Sequence, residues 1–143
     1  MSANPLTREL LSDGRLRLSS GECSFVFHRL PAATLLVTIS GDDRGELGTA
    51  PLDELRLELM RHQPLELFVD ARAVTSASVA VSREWTAFFS ENRKSLKRVV
   101  LLGGSRVINL TLAIAQHLSH TGNLIQIHSD PRVFEARLAM RAA

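Results

Sequence analysis

Leu16 and Leu18 alternate with Arg15 and Arg17 at the head of the chain, which predicts a strand over 15–19 with one buried face. The same two-residue period returns over 23–28, where Cys23, Phe25 and Phe27 alternate with Ser24, Val26 and His28. Ser20-Gly21-Glu22 between them predicts a hairpin turn. Leu35-Leu36-Val37-Thr38-Ile39 is apolar without alternation, as in a strand covered on both faces. The polar stretch from Ser40 to Gly45 then predicts a loop. Residues 1–13 show neither period and are expected to be a flexible segment ahead of a single domain over 14–143.

Beyond Gly45 the period becomes helical. Pro51 suits a first helical position, Asp53 and Glu54 suit the first turn, and Leu52, Leu55 and Leu59 share one face, with Glu54, Glu58 and Arg61 opposite. Pro64 ends that helix, and Leu65–Asp70 predicts a strand ending on an aspartate. A small-residue loop leads to a second helix striped by Val81, Trp85, Phe88, Phe89 and Asn92. Arg98–Leu102 predicts a buried strand stopped by a tight turn at Gly103-Gly104, and Ser105 suits the cap of a third helix. On that helix Val107, Leu110, Thr111, Ile114 and Leu118 are expected to form the core stripe. Ile108 and Leu112 widen the apolar arc toward a neighbouring element, a partner or a second copy. Residues 123–128 predict a last strand, and Asp130-Pro131 opens a terminal helix carrying Phe134 and Leu138. Strands alternating with helices predict right-handed crossovers and a parallel sheet. The leading strands add an antiparallel part, so the expected fold is one α/β domain with a mixed, mostly parallel sheet and four helices.

Composition narrows the function more than the fold. The 143 residues are 45% hydrophobic and 22% charged, a globular composition long enough to build a core without metal or disulfide staples. Net charge is +2, and no dense basic run or aromatic platform marks a nucleic-acid footprint. Cys23 is the single cysteine, which suits a reducing cytoplasm and excludes an internal disulfide. The start of the chain lacks a basic stretch followed by an apolar run, and no apolar run approaches the ~20 residues that cross a bilayer. A cytoplasmic protein without stable membrane insertion is therefore expected.

Three segments in this setting resemble the STAS-like superfamily and, more narrowly, SpoIIAA-like proteins. They are Leu67-Phe68-Val69-Asp70-Ala71-Arg72-Ala73-Val74, Lys97-Arg98-Val99-Val100-Leu101-Leu102-Gly103, and the closing run from Ile127 to Ala136. The resemblance covers most of the chain from Leu35 onward. It implies a non-enzymatic regulatory or protein-binding module of bacterial signalling, switched by phosphorylation in one branch and holding lipid-like ligands in some relatives. The implied phosphoacceptor position, at the start of the helix after the aspartate-ended strand, falls here on Val79 and Ala80, which carry no hydroxyl. Ser76 and Ser78 lie one to four residues away and could serve only with a shifted loop.

The candidate sites follow from chemistry at strand-to-helix junctions. Asp70, Arg72, Ser76 and Ser78 form a candidate surface for a protein partner or a phosphoryl group, with a plain helix cap as the alternative role of either serine. Ser105 and Arg106 offer a second anion position after Gly103-Gly104, although no nucleotide-binding glycine pattern surrounds them. Trp85, Phe88 and Phe89 are heavy for a surface helix and are candidates to line a pocket for an apolar small molecule. His117 and His120 lack a third ligand and read as surface histidines. No nucleophile elbow or catalytic base is recognisable, so neither a catalytic residue nor a metal or cofactor site is expected. A protein partner, a second copy in a homodimer and an apolar ligand are the expected partners.

Overall fold

A computed structural model describes residues 5–142 of the chain. Among them, β1 (Thr7–Leu10), β2 (Leu16–Ser20), β3 (Cys23–Leu30) and β4 (Thr34–Asp43) form an antiparallel meander. The chain then alternates through α1 (Ala50–Arg61), β5 (Leu65–Ala77), α2 (Val79–Glu91), β6 (Leu96–Gly103), α3 (Arg106–Leu118), β7 (Ile125–His128) and α4 (Pro131–Ala142). Strands β4 to β7 run parallel, and the single seven-stranded sheet has the order of the chain itself. This is the mixed α/β domain that the alternation of periods predicts.

Each right-handed crossover steps the sheet in the same direction, which places α1, α2 and α3 on one face. Strand pleating decides what they meet. Phe25, Val37, Leu67, Val69, Val99 and Leu101 point into the main core, with Leu52, Leu55 and Leu59 of α1 and with Phe88 and Phe89 of α2. Alternate residues Phe68, Val100 and Leu102 point to the other face, where Phe134 of α4 completes a second buried cluster with Leu36 and Leu138 partly buried against it. The Phe68 and Phe134 rings meet edge-on, 5.6 Å apart.

Four details differ from expectation. β1 lies inside the segment read as flexible; its four residues are all exposed, so no hydrophobic period announces it. Pairing with β2 and the Arg8–Glu54 ion pair hold it. Glu58, expected on the polar side of α1, is buried and bonded by Arg29 at 2.6 Å and Arg61 at 3.1 Å. β4 and β5 both continue through stretches read as loops, with Asp42 opposite Ser76 and Asp43 opposite Ala77. Gly41 allows that extension: its φ is +92°, and a Cβ there would stand 2.1 Å from the Glu22 carbonyl oxygen.

The fourth difference inverts α3. Val107, Leu110, Ile114 and Leu118 of the expected core stripe are 69%, 63%, 48% and 54% exposed. The buried side is Ile108, Ala115 and Ser119, with Leu112 partly buried beside them. Small Ala115 and Ser119 let the helix lie close to the sheet. The Ser119 hydroxyl is satisfied by the Gln116 carbonyl at 2.8 Å, and Gln116 Nε2 donates to the Ile125 carbonyl at 2.5 Å, tying the helix end to β7. The Gly103-Gly104 step also works through close approach rather than handedness, because a Cβ on Gly104 would lie 2.4 Å from the Arg72 carbonyl oxygen.

Candidate functional site

An apolar cleft opens between α2 and α3, over the carboxyl ends of β4, β5 and β6. Ligands in open α/β sheets favour this end of the strands. Its floor is made by Ile39, Val69, Ala71 and Leu101, side chains set on one face by the pleat. Helix α2 contributes Val81, Trp85 and Phe89, one turn apart along its buried stripe. The α3 wall is Ile108, Leu112 and Ala115. The cavity measures about 80 Å³.

The aromatic candidates divide here. Trp85 and Phe89 line the cleft, their rings 5.7 Å apart, and Trp85 stacks on Phe25 at 6.2 Å with planes 9° apart. Phe88 does not line it. That ring is 1% exposed in the main core, with the Arg56 guanidinium 5.6 Å from its centre. One turn of helix separates neighbours on a stripe, but residues 88 and 89 point about 100° apart.

The polar candidates fall into separate local structures. Asp70 and Arg72 pair at 2.7 Å, and Arg72 reaches Glu135 of α4 at 2.8 Å, so this group fastens the middle of β5 to the helix on the opposite face. Ser76 donates to Asp42 of β4, a bond that, with Arg44 beside it, holds the Asp42 carboxyl below its usual range. Ser78 caps α2, its hydroxyl oxygen accepting the Val81 N–H at 3.2 Å. Ser105 caps α3 in the same way through the Ile108 N–H at 3.2 Å, and Arg106 after it is exposed. The four residues expected to share one surface thus serve three different contacts.

Sequence reasoning missed Asp43, assigned to a polar loop. At the end of β4 it is 6% exposed and lines the cleft. Burial pushes its carboxyl above the usual carboxylate range; the Gly45 N–H, donated to Oδ1 at 3.2 Å, partly offsets this, and Glu46, Glu84 and Asp42 add to the rise. Burial, with Asp43, Glu46 and Asp42 nearby, also pushes the Cys23 thiol up to about 12, so it is a neutral thiol at physiological pH. Among the described residues no group of three or more histidine, cysteine or carboxylate side chains is placed to hold a metal ion, and no helix is long and apolar enough to cross a membrane.

This architecture has a counterpart among solved structures. The chain is similar to an uncharacterised protein of the DUF3478 family with a SpoIIAA-like fold from Shewanella loihica PV-4, at a TM-score of 0.55 and 16% identity. The match covers 96% of this chain and 98% of that one. No family model and no curated protein matches the sequence. The chain therefore has a SpoIIAA-like fold, as the segments from Leu67 to Val74 and from Ile127 to Ala136 lead one to expect.

Proposed function

We propose that this chain is a non-catalytic binding domain that takes a small apolar molecule into the cleft between α2 and α3. The carrying observation is the lining: carbon side chains from three strands and two helices surround a space at the ligand-favoured end of the sheet. An engineered cavity of about 150 Å³ in another protein holds benzene, so about 80 Å³ suits a short alkyl chain or the end of a longer one. Among the described residues the polar groups in the lining are one carboxyl and two hydroxyls, from Asp43, Ser82 and Thr111, and Thr111 spends its proton on the Val107 carbonyl. That set supplies no base-and-nucleophile pair. Native mass spectrometry of the protein from cells tests the reading. A non-covalent adduct lost on denaturation, and absent from a folded Ala115→Trp variant, is expected. An adduct retained in that variant overturns it.

A protein-binding, regulatory role has separate support in α3, whose Val107, Leu110, Ile114 and Leu118 are exposed in one stripe. A phosphoryl switch is less well supported. A phosphate on Ser76 would meet the Asp42 carboxylate it now bonds, and one on Ser78 would sit near Asp43, whose surroundings are acidic. Sedimentation velocity of wild type and Ile114→Glu distinguishes a second copy on this stripe: self-association abolished by the charge supports it.

A further inference from the structure

Among the described residues the cleft has one ionisable group in its lining, and that group discriminates among the head groups an apolar ligand can carry. Asp43 stands where the cleft adjoins a smaller recess bounded by Leu47, Pro51 and Trp85. Its Oδ1 takes the Gly45 N–H. The side chains acting on it come from its own strand (Asp42), the following loop (Glu46) and α2 (Glu84), and all are carboxylates. From β3 it faces the Cys23 thiol, which is neutral. Arg44, next along the chain, turns away to bond Asp42 at 2.6 Å. This end of the cleft is therefore rich in acceptors and poor in donors.

We propose that the cleft takes small apolar amines, and less tightly alcohols, while rejecting the corresponding carboxylates, with Asp43 as the acceptor for the head group. An ammonium group would form a charge-assisted bond to a carboxylate held out of water. A hydroxyl would form a neutral one. An alkyl carboxylate would add a second anion to a poorly solvated site that already holds one, where repulsion is only weakly screened. This inference rests on reading the cleft as an apolar-ligand site, and it adds the chemical class of the ligand.

Trp85 is the single tryptophan of the chain and lines the cleft, so its emission reports occupancy without a label. Hexylamine, hexan-1-ol and hexanoate, each too short to form micelles at working concentration, are titrated into the full chain at pH 7.5. The expected order of affinity is amine, alcohol, carboxylate, with the amine ahead of the carboxylate by about tenfold or more. Asp43→Asn keeps an oxygen for the Gly45 N–H and should narrow that gap at least fivefold while leaving hexanol in place. Hexanoate binding as tightly as hexylamine overturns the proposal, and this wild-type ranking needs no variant to fold. A gap unchanged in Asp43→Asn also overturns it. Equal affinity for all three compounds rejects only the head-group assignment, whereas no response to any of them rejects the cleft as an apolar site as well.

Discussion

Replacing isoleucine by alanine at Ile108 and at Ile114 tests which side of α3 stabilises the domain. The change removes three carbons at either place, about 2.4 kcal/mol of transfer free energy if the side chain is wholly buried. Ile108 is 3% exposed and packs at the cleft wall, so nearly all of that is lost and the cavity widens, for a total of about 2–4 kcal/mol. Ile114 is 48% exposed, so about half is lost, roughly 1.2 kcal/mol, and alanine's better helix propensity returns a few tenths. The expected cost at Ile114 is therefore below about 1 kcal/mol. Urea unfolding followed by circular dichroism, with the slope checked for constancy between variants, measures both. If Ile114→Ala is the more destabilising of the two, the buried face of α3 has been misassigned and the cleft wall with it.

Asp43→Asn should stabilise the fold at pH 7, because a carboxyl whose folded pKa lies above its ordinary 3.8 binds its proton more tightly when folded, and stability falls as pH rises through that window. The gain should vanish as pH falls toward 3.8; a gain independent of pH in urea titrations would contradict this account. Cys23, buried and neutral, should resist iodoacetamide at pH 8 in the folded protein and react once urea unfolds it. Fast labelling of the native state is the contrary result. Phe134→Ala should cost about 3–5 kcal/mol, since that ring is the fully buried contribution of α4 to the second cluster, with Leu138 only partly buried beside it, and a loss under 1 kcal/mol by urea unfolding would show that α4 is held mainly by the Arg72–Glu135 and Arg141–Glu66 pairs.

The fold was legible where one period dominated. Cys23, Phe25 and Phe27 announce β3, and Leu52, Leu55 and Leu59 announce α1, because a half-buried element must repeat its apolar side at its own pitch. The cleft was legible only in part. Trp85 and Phe89 stand out by size on α2, but Ile108 and Ala115 of the facing wall look weaker than the Val107–Leu118 stripe beside them. Residue size favours the wrong side there, since close packing on the sheet selects small side chains that composition does not reward. Asp43 was hidden for another reason. Ser40-Gly41-Asp42-Asp43 is polar and reads as a loop, and its strand character comes from pairing with β5, a tertiary contact that no local pattern encodes.

The strand order carries a consequence for how the molecule is made. Among the described residues each strand pairs only with its neighbours in sequence: Thr34 meets Glu66 across β4 and β5, Leu65 meets Leu96 across β5 and β6, and Val99 meets Ile125 across β6 and β7. A chain emerging from the ribosome can therefore extend its sheet one neighbour at a time. No late segment has to insert between two strands already joined, and loop closure stays modest at each step. The last helix alone must wait. Until α4 is synthesised, Phe68, Val100 and Leu102 face water on an otherwise completed sheet, and nascent chains stalled before Pro131 should be the aggregation-prone species of this protein.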